Sequence, residues 1–179
     1  MSATRIRIAH TADLHSDERL AIRAMIDQAF AGSFTDEDWD HALGGMHAMV
    51  WDGGDVIAHG SVVQRRLLHG GTALRTGYVE GVAVRADRRR QGHGAAVMIA
   101  LERVIRTAYE FGALSATDDG AELYTARGWQ RWCGVTSVLA PTGIERTADD
   151  DGSVYVLEVR IPVDLSGELT CDWRPGDVW

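Results

Sequence analysis

Two glycine pairs constrain this chain more than any other feature. Asp52–Gly53–Gly54–Asp55 and His69–Gly70–Gly71–Thr72 interrupt a long apolar stretch, and such pairs read as tight hairpin turns. They cut it into three strand segments, Met46–Trp51, Val56–Leu68 and Thr72–Val84. Three strands joined by turns this short form an antiparallel meander, since a parallel pair needs a crossover of a dozen residues or more.

The flanking segments add helices and further strands. Arg5–Ala9 alternates polar and apolar, as a strand does. Ser16 is placed to cap a helix carrying Leu20, Ile22, Met25, Ile26, Ala29 and Phe30 and ending at Gly32. Thr35 caps a short helix opening with Asp36, Glu37 and Asp38 and stopping at Gly44–Gly45. After the meander, Ala95–Phe111 has helical spacing, with Val97, Met98, Leu101, Val104, Ile105 and Ala108 on its buried face. Ala113–Ala116 reads as a strand, Asp119–Arg127 as a short helix closed by Gly128, and Trp129–Leu139 and Ser153–Ile161 as two more strands. Asp164–Trp179 has little periodicity. The order predicts a mixed α/β (α+β) fold, a largely antiparallel central sheet flanked by helices, in a single domain over 1–179.

Composition removes several chemistries. All 18 basic residues are arginine, so reactions needing a lysine amine, such as P-loop nucleotide hydrolysis, Schiff-base aldol chemistry and pyridoxal phosphate catalysis, are excluded. A net charge of −8 with no long basic run opposes nucleic-acid binding. No apolar run reaches the roughly 18 residues of a membrane span, and MSATRIRIAH lacks the apolar segment of a secretory leader. Cys133 and Cys171 have no ligand-like spacing, which fits a reducing cytoplasm. The seven histidines show no H-E-x-x-H pattern, so no metal is expected.

The chemistry is concentrated in Tyr78–Gly94. A strand runs into Arg85–Ala86–Asp87–Arg88–Arg89–Arg90–Gln91–Gly92–His93–Gly94, and that loop opens a long helix. Glycines permitting close approach, exposed N–H groups, the helix dipole and the four arginines Arg85, Arg88, Arg89 and Arg90 together make an anion cradle. A dinucleotide-binding G-x-G-x-x-G would need a third glycine, which Gly92–His93–Gly94–Ala95–Ala96–Val97 lacks.

Arg89–Arg90–Gln91–Gly92–His93–Gly94, with Gly81–Val84 before it and Leu123–Tyr124–x-x-x-Gly128–Trp129 after it, resembles the R/Q-x-x-G-x-G/A pattern of GCN5-related N-acetyltransferases. Gly44–Ala48, Tyr78–Arg85, Ser137–Gly143 and Cys171–Asp172–Trp173–Arg174–Pro175–Gly176–Asp177–Val178–Trp179 extend the likeness to aminoglycoside 2′-N-acetyltransferases. The resemblance implies a GNAT fold, with a core over about 5–139, an acetyl-CoA loop at 85–94, and 140–179 contributing to the acceptor site. It implies a homodimer and a cytoplasmic enzyme of antibiotic resistance that transfers acetyl to the 2′-amine.

For the cosubstrate acetyl-CoA it selects Val82, Ala83, Val84, Arg89, Arg90, Gln91, Gly92, His93, Gly94 and Ser115. For the polycationic acceptor it selects Asp38, Glu80, Gly81, Ser115, Asp150, Asp177 and Trp179, and Trp173 with Trp179 can wall a sugar ring. Tyr124 is implied as the general acid for the departing thiolate. Proton removal is left between Glu80 acting through water and the carboxylate of Trp179, and Glu80 serves equally as an anchor for the ligand. Direct transfer in a ternary complex needs no cysteine nucleophile, and neither cysteine lies in the Tyr78–Gly94 segment. Two other readings stay open: an acetyltransferase for a different cellular amine, and a non-catalytic module that binds acyl-CoA or drug.

Overall fold

A computed structural model describes residues 4–179. Residues 1–3, part of the N-terminal stretch read above as leaderless, lie outside the described residues. The described residues pack as two compact units, the chain up to Val63 with Val79–Val104, and Gln64–Tyr78 with Ile105–Trp179.

In the first unit, β1 (Arg5–His10) pairs antiparallel with β2 (Met46–Asp52), in register from Arg5↔Trp51 to His10↔Met46. β2 pairs antiparallel with β3 (Asp55–His69), with a bulge between Val50 and Trp51. Helix α1 (Ser16–Ala29) packs Ile22, Met25 and Ile26 into a cluster with Ala9, Met49, Val56 and Ala83. Its N-cap is His15 rather than Ser16, because Glu18 turns back to accept from the His15 N–H at 3.0 Å. Helix α2 (Asp36–His41) is capped by Thr35 as expected. Helix α3 (His93–Ala108) lies so close to β3 that a Cβ on Gly60 would sit 2.8 Å from Val97 Cγ1. That contact explains glycine inside the buried stretch Val56–Val63 of the strand.

In the second unit, Thr76–Tyr78 of β4 (Thr72–Val84) pair parallel with β5 (Phe111–Ser115), in register from Thr76↔Phe111. β5 pairs antiparallel with β9 (Val154–Glu158), which also carries the two-residue β6 (Gln130–Arg131). β10 (Leu169–Asp172) meets β3 antiparallel at Thr170↔Leu68 and runs parallel to β7 (Thr136–Ala140). β7 ends in a hairpin with β8 (Gly143–Arg146). Trp132, Tyr78, Phe111, Leu67 and Leu74 are among the largest fully buried side chains. Most pairings are antiparallel and helices accompany them, as the sequence predicts.

Several boundaries differ from the sequence reading. α3 stops at Ala108 and Phe111 begins β5, because the Glu110 N–H turns to the Arg75 carbonyl and Phe111 enters the sheet. The segment 129–139 is two strands: the N–H groups of Cys133 and Gly134 both donate to the Leu165 carbonyl, 2.9 Å each, which breaks the ladder. Segment 119–127 is a 3₁₀ turn followed by α4 (Ala121–Ala126). β8 and β10 occupy stretches without periodicity.

Candidate active site

The sequence-predicted site residues divide between the units. Asp38, Glu80, Gly81, Val82–Val84 and the loop 85–94 belong to the first; Ser115, Tyr124, Asp150, Asp177 and Trp179 belong to the second.

In the first unit, β4 turns at Gly81, whose φ of +56° lies in the left-handed region. Its carbonyl accepts from His59 Nδ1 at 2.9 Å. The last ladder bond, Arg85 N–H to the Ile57 carbonyl, releases the chain into a 3₁₀ turn over Ala86–Arg88. Arg85 then pairs with Asp87 at 2.7 Å and Asp55 at 3.6 Å, and Arg88 with Asp52 at 2.8 Å. Arg89 donates to the carbonyls of Val84 at 3.3 Å and Ala29 at 3.0 Å, and Gln91 to that of Asp87 at 3.2 Å. Arg90, at φ +58°, makes none of these bonds and is exposed. Three of the four loop arginines therefore brace the loop, and Arg90 faces solvent.

Gly92 stands at φ +84° with no atom within 4 Å of where a Cβ would be, and its carbonyl accepts the first helical bond from Ala96 at 3.0 Å. α3 thus opens at His93, two residues before the sequence-predicted start, and Gly94 falls inside its first turn. The N–H groups of that turn have no intrahelical acceptors and lie at the positive end of a 16-residue helix. This set of donors, open space and one uncommitted guanidinium fits an anionic phosphate ligand.

Asp38 is half-buried and part of a reciprocal cap, accepting from the Thr35 N–H at 2.8 Å while Thr35 Oγ1 accepts from the Asp38 N–H at 3.1 Å. Sequence reasoning missed a chain of buried groups here. His47 Nδ1 and His59 Nε2 are 2.9 Å apart, and His47 Nε2 is 2.7 Å from the Thr11 hydroxyl. Burial lowers the two imidazoles to about 4 for His47 and about 3 for His59. The available signal was two histidines flanked by apolar residues in adjoining strands, His47 between Met46 and Ala48 and His59 after Ala58.

In the second unit, Tyr124 on α4 is 7% exposed and packs against Trp129 and Tyr155, with ring centroids 6.3 and 6.2 Å away. Burial pushes its hydroxyl up to about 12. Ser115 Oγ donates to Ser153 Oγ at 3.3 Å. Of the Asp149–Asp151 run, Asp151 is structural: Arg146 and the Thr136 N–H and hydroxyl hold it well below the usual carboxylate range. Asp150 is raised instead, first by burial and then by the like charge of Asp177. Asp177 Oδ1 accepts from the Trp179 N–H at 3.2 Å, and the Trp179 indole donates to Thr147 Oγ1 at 2.9 Å. Asp177 and Trp179 are therefore in contact, Asp150 lies within reach of the Asp177 charge, and the Trp179 side chain is buried.

The tail that carries them is clamped by two arginines with no sequence signal. Arg65, 4% exposed, donates to Asp172 Oδ1 at 2.7 Å, to the Asp172 carbonyl at 2.9 Å and to the Val178 carbonyl at 2.8 Å. Arg174 donates to the main-chain oxygens of Asp177 at 2.8 Å and Trp179 at 3.0 Å. Trp173 is exposed. Cys171 is no ready nucleophile, being buried with its thiol pushed up to about 11, whereas Cys133 is exposed where the ladder breaks.

Residues 10–131 match a family described as an acetyltransferase (GNAT) domain. An aminoglycoside 2′-N-acetyltransferase of Mycolicibacterium fortuitum is 54% identical over 177 residues, covering 97% of this chain and 91% of that protein. Among solved structures, the GNAT acetyltransferase YhbS of Escherichia coli, in complex with CoA, superposes with a TM-score of 0.64 at 16% identity, covering 96% of this chain and 91% of that one. A GNAT acetyltransferase of Brucella melitensis in complex with acetyl-CoA gives 0.62 at 14% identity, covering 94% and 96%. Eis1 of Mycobacterium abscessus gives 0.61 at 18% identity, and there the match spans 75% of this chain but 33% of the larger protein. At these identities the structures speak to the fold.

Proposed function

This chain belongs to the GNAT family of acetyltransferases, and from that premise we propose that it acetylates the 2′-amine of aminoglycosides directly, in a ternary complex. The single observation carrying the reading is the 54% identity to an aminoglycoside 2′-N-acetyltransferase across nearly the whole chain. The cradle at 85–94 and the acidic cluster supply its physical support. Acetyl-CoA supplies the thioester, whose C–S bond breaks as the C–N bond to the amine forms.

The N–H groups at the start of α3, with Arg90, hold the pyrophosphate, and those of Val82–Val84 hold the pantetheine arm and the thioester oxygen. Ser115 contacts both ligands. Asp38, Gly81, Asp150, Asp177 and Trp179 hold the polycation, and Asp150, raised by burial and then by the like charge of Asp177, gains a counter-charge from a cationic ligand. Glu80 takes the ammonium proton through one water, with the Trp179 carboxylate as the second candidate. Tyr124 gives its proton to the departing sulfur, and a hydroxyl held near 12 stays protonated until it is needed. Direct transfer is supported by the inert Cys171. Acetylation strips one positive charge from the drug, the basis of resistance. In this reading 1–179 acts as one acetyltransferase domain, in the cytoplasm, as a homodimer.

The test mixes the protein with acetyl-CoA and follows free thiol, using one aminoglycoside with a 2′-amine and one with a 2′-hydroxyl. Release with the amine alone is expected. Equal release with both would move the attack elsewhere on the drug. No release with either would overturn the reading.

A further inference from the structure

His47 and His59 are both fully buried, yet the reaction just described uses neither. They sit on one face of the β2–β3 pair, where His59 opposes Met49 and His47 opposes Ser61, so the two rings are diagonal neighbours. The bond directions follow from one fixed point. A carbonyl only accepts, so His59 Nδ1, 2.9 Å from the Gly81 oxygen, carries the hydrogen. Complete burial disfavours a charged ring, so His59 Nε2 is the acceptor and His47 Nδ1 donates to it across 2.9 Å. His47 Nε2 then accepts from the Thr11 hydroxyl at 2.7 Å, nearer than that hydroxyl's other acceptor, the Gly45 carbonyl at 3.3 Å. That hydroxyl oxygen accepts in turn from the Gly44 N–H at 2.9 Å.

The result is a one-way chain, Gly44 to Thr11 to His47 to His59, ending on the Gly81 carbonyl. Its last acceptor is the peptide where β4 enters the left-handed region, between Glu80 and Val82. Rotating that peptide would orphan a buried N–H with no water to replace the partner. The ring of His59 also lies beside Gly81, with Cε1 3.6 Å and Phe34 Cζ 3.7 Å from the position of an added Cβ, and Trp39 flanks it at 6.4 Å between centroids.

We infer that His59 is a positioning residue for acyl transfer. Its Nδ1–H locks the Gly81–Val82 peptide and so sets the direction of the Val82 N–H, while His47 and Thr11 lock the tautomer of His59. The inference rests on the acetyltransferase reading for the consequence in catalysis, but the bond itself does not.

Asparagine and glutamine separate the two ring nitrogens. In His59→Asn the amide N–H falls where Nδ1 was and still reaches Gly81; in His59→Gln it falls near Nε2 and does not. Steady-state kinetics by thiol release, with thermal melts of each variant, should show kcat of H59N within about threefold of wild type. H59Q should lose about tenfold or more in kcat, with KM for acetyl-CoA changed by less than about threefold. A merely structural role would lower the melting temperature of both and leave kcat of the folded protein alike in both. Equal kcat for H59N and H59Q overturns the proposal. The wild-type protein carries an independent readout: long-range ¹H–¹⁵N NMR should find hydrogen on Nδ1 of both His59 and His47, and an Nε2–H tautomer at His59 overturns the assignment whether or not either variant folds. A wild-type protein that shows the Nδ1–H tautomer but releases no thiol fails the functional reading, and with it the catalytic consequence claimed for His59, while the bond to Gly81 stands.

Discussion

Replacing Arg65 by methionine removes the clamp on the tail while keeping the length of the buried stem. The guanidinium is 4% exposed, bonds Asp172 Oδ1 and the carbonyls of Asp172 and Val178, and lies 4.6 Å above the centre of the Tyr78 ring. Asp172 keeps 45% of its side chain in solvent, so that ion pair contributes at most about 1 kcal/mol. Each carbonyl bond from a buried cation contributes about 1.5 kcal/mol, and stacking on Tyr78 about 1 kcal/mol more. R65M should therefore lose roughly 5 kcal/mol, at the upper end of the range for stripping one partner from a buried pair.

Urea unfolding at neutral pH, followed by tryptophan fluorescence, measures the loss. A cycle with Asp172→Ala should assign only about 1 kcal/mol of it to the side-chain pair, leaving the larger part with the main-chain acceptors. KM for the acceptor should rise, because Asp177 and Trp179 hang from the released segment. A loss below about 1 kcal/mol at unchanged m-value would refute the reasoning.

Other substitutions address the chemistry and the buried pair. Tyr124→Phe should lower kcat by roughly 10²–10³ with little change in KM for acetyl-CoA, and a change within threefold would remove Tyr124 as the acid. Arg90→Ala should raise KM for acetyl-CoA about tenfold, whereas Arg85→Ala, already paired with Asp87 and Asp55, should change it far less; the reverse order would count against the cradle. His47 and His59 titrate at about 4 and about 3 when folded, below the ordinary 6.5, so between those values and 6.5 the unfolded chain binds more protons. Stability is therefore fully present above about 6.5 and is lost as pH falls toward 3, by roughly 3 kcal/mol for His47 alone. Urea midpoints at pH 7 and 4.5 should converge in H47F/H59F relative to wild type, and parallel pH dependences would sink the assignment.

What was legible in the sequence was local. The turns at 52–55 and 69–72 defined β3 and β4 because glycine pairs leave the chain few other paths, and Thr72–Val84 falls on the residues predicted. The cradle was legible for the same reason: strand, glycine loop and helix start are contiguous. What was hidden had its partner far along the chain. β8 is exposed along its whole length and shows no alternation, and β10 is four residues that make sense only beside Thr136–Leu139. The break at Cys133–Gly134 is likewise decided by the Leu165 carbonyl, some thirty residues on.

The sequence by itself determined the meander, the anion cradle, the missing lysine chemistries and the residues of the family pattern, all set by nearest neighbours and composition. Tertiary structure alone decided how those residues are employed. It turned Arg85, Arg88 and Arg89 into braces and left Arg90 exposed. It divided one aspartate run into a structural Asp151 and an Asp150 that feels Asp177. It also aligned two histidines, twelve residues apart, behind Gly81. Charge state and bond direction depend on burial and on which acceptor lies within about 3 Å, and both are properties of chain segments that meet only when folded.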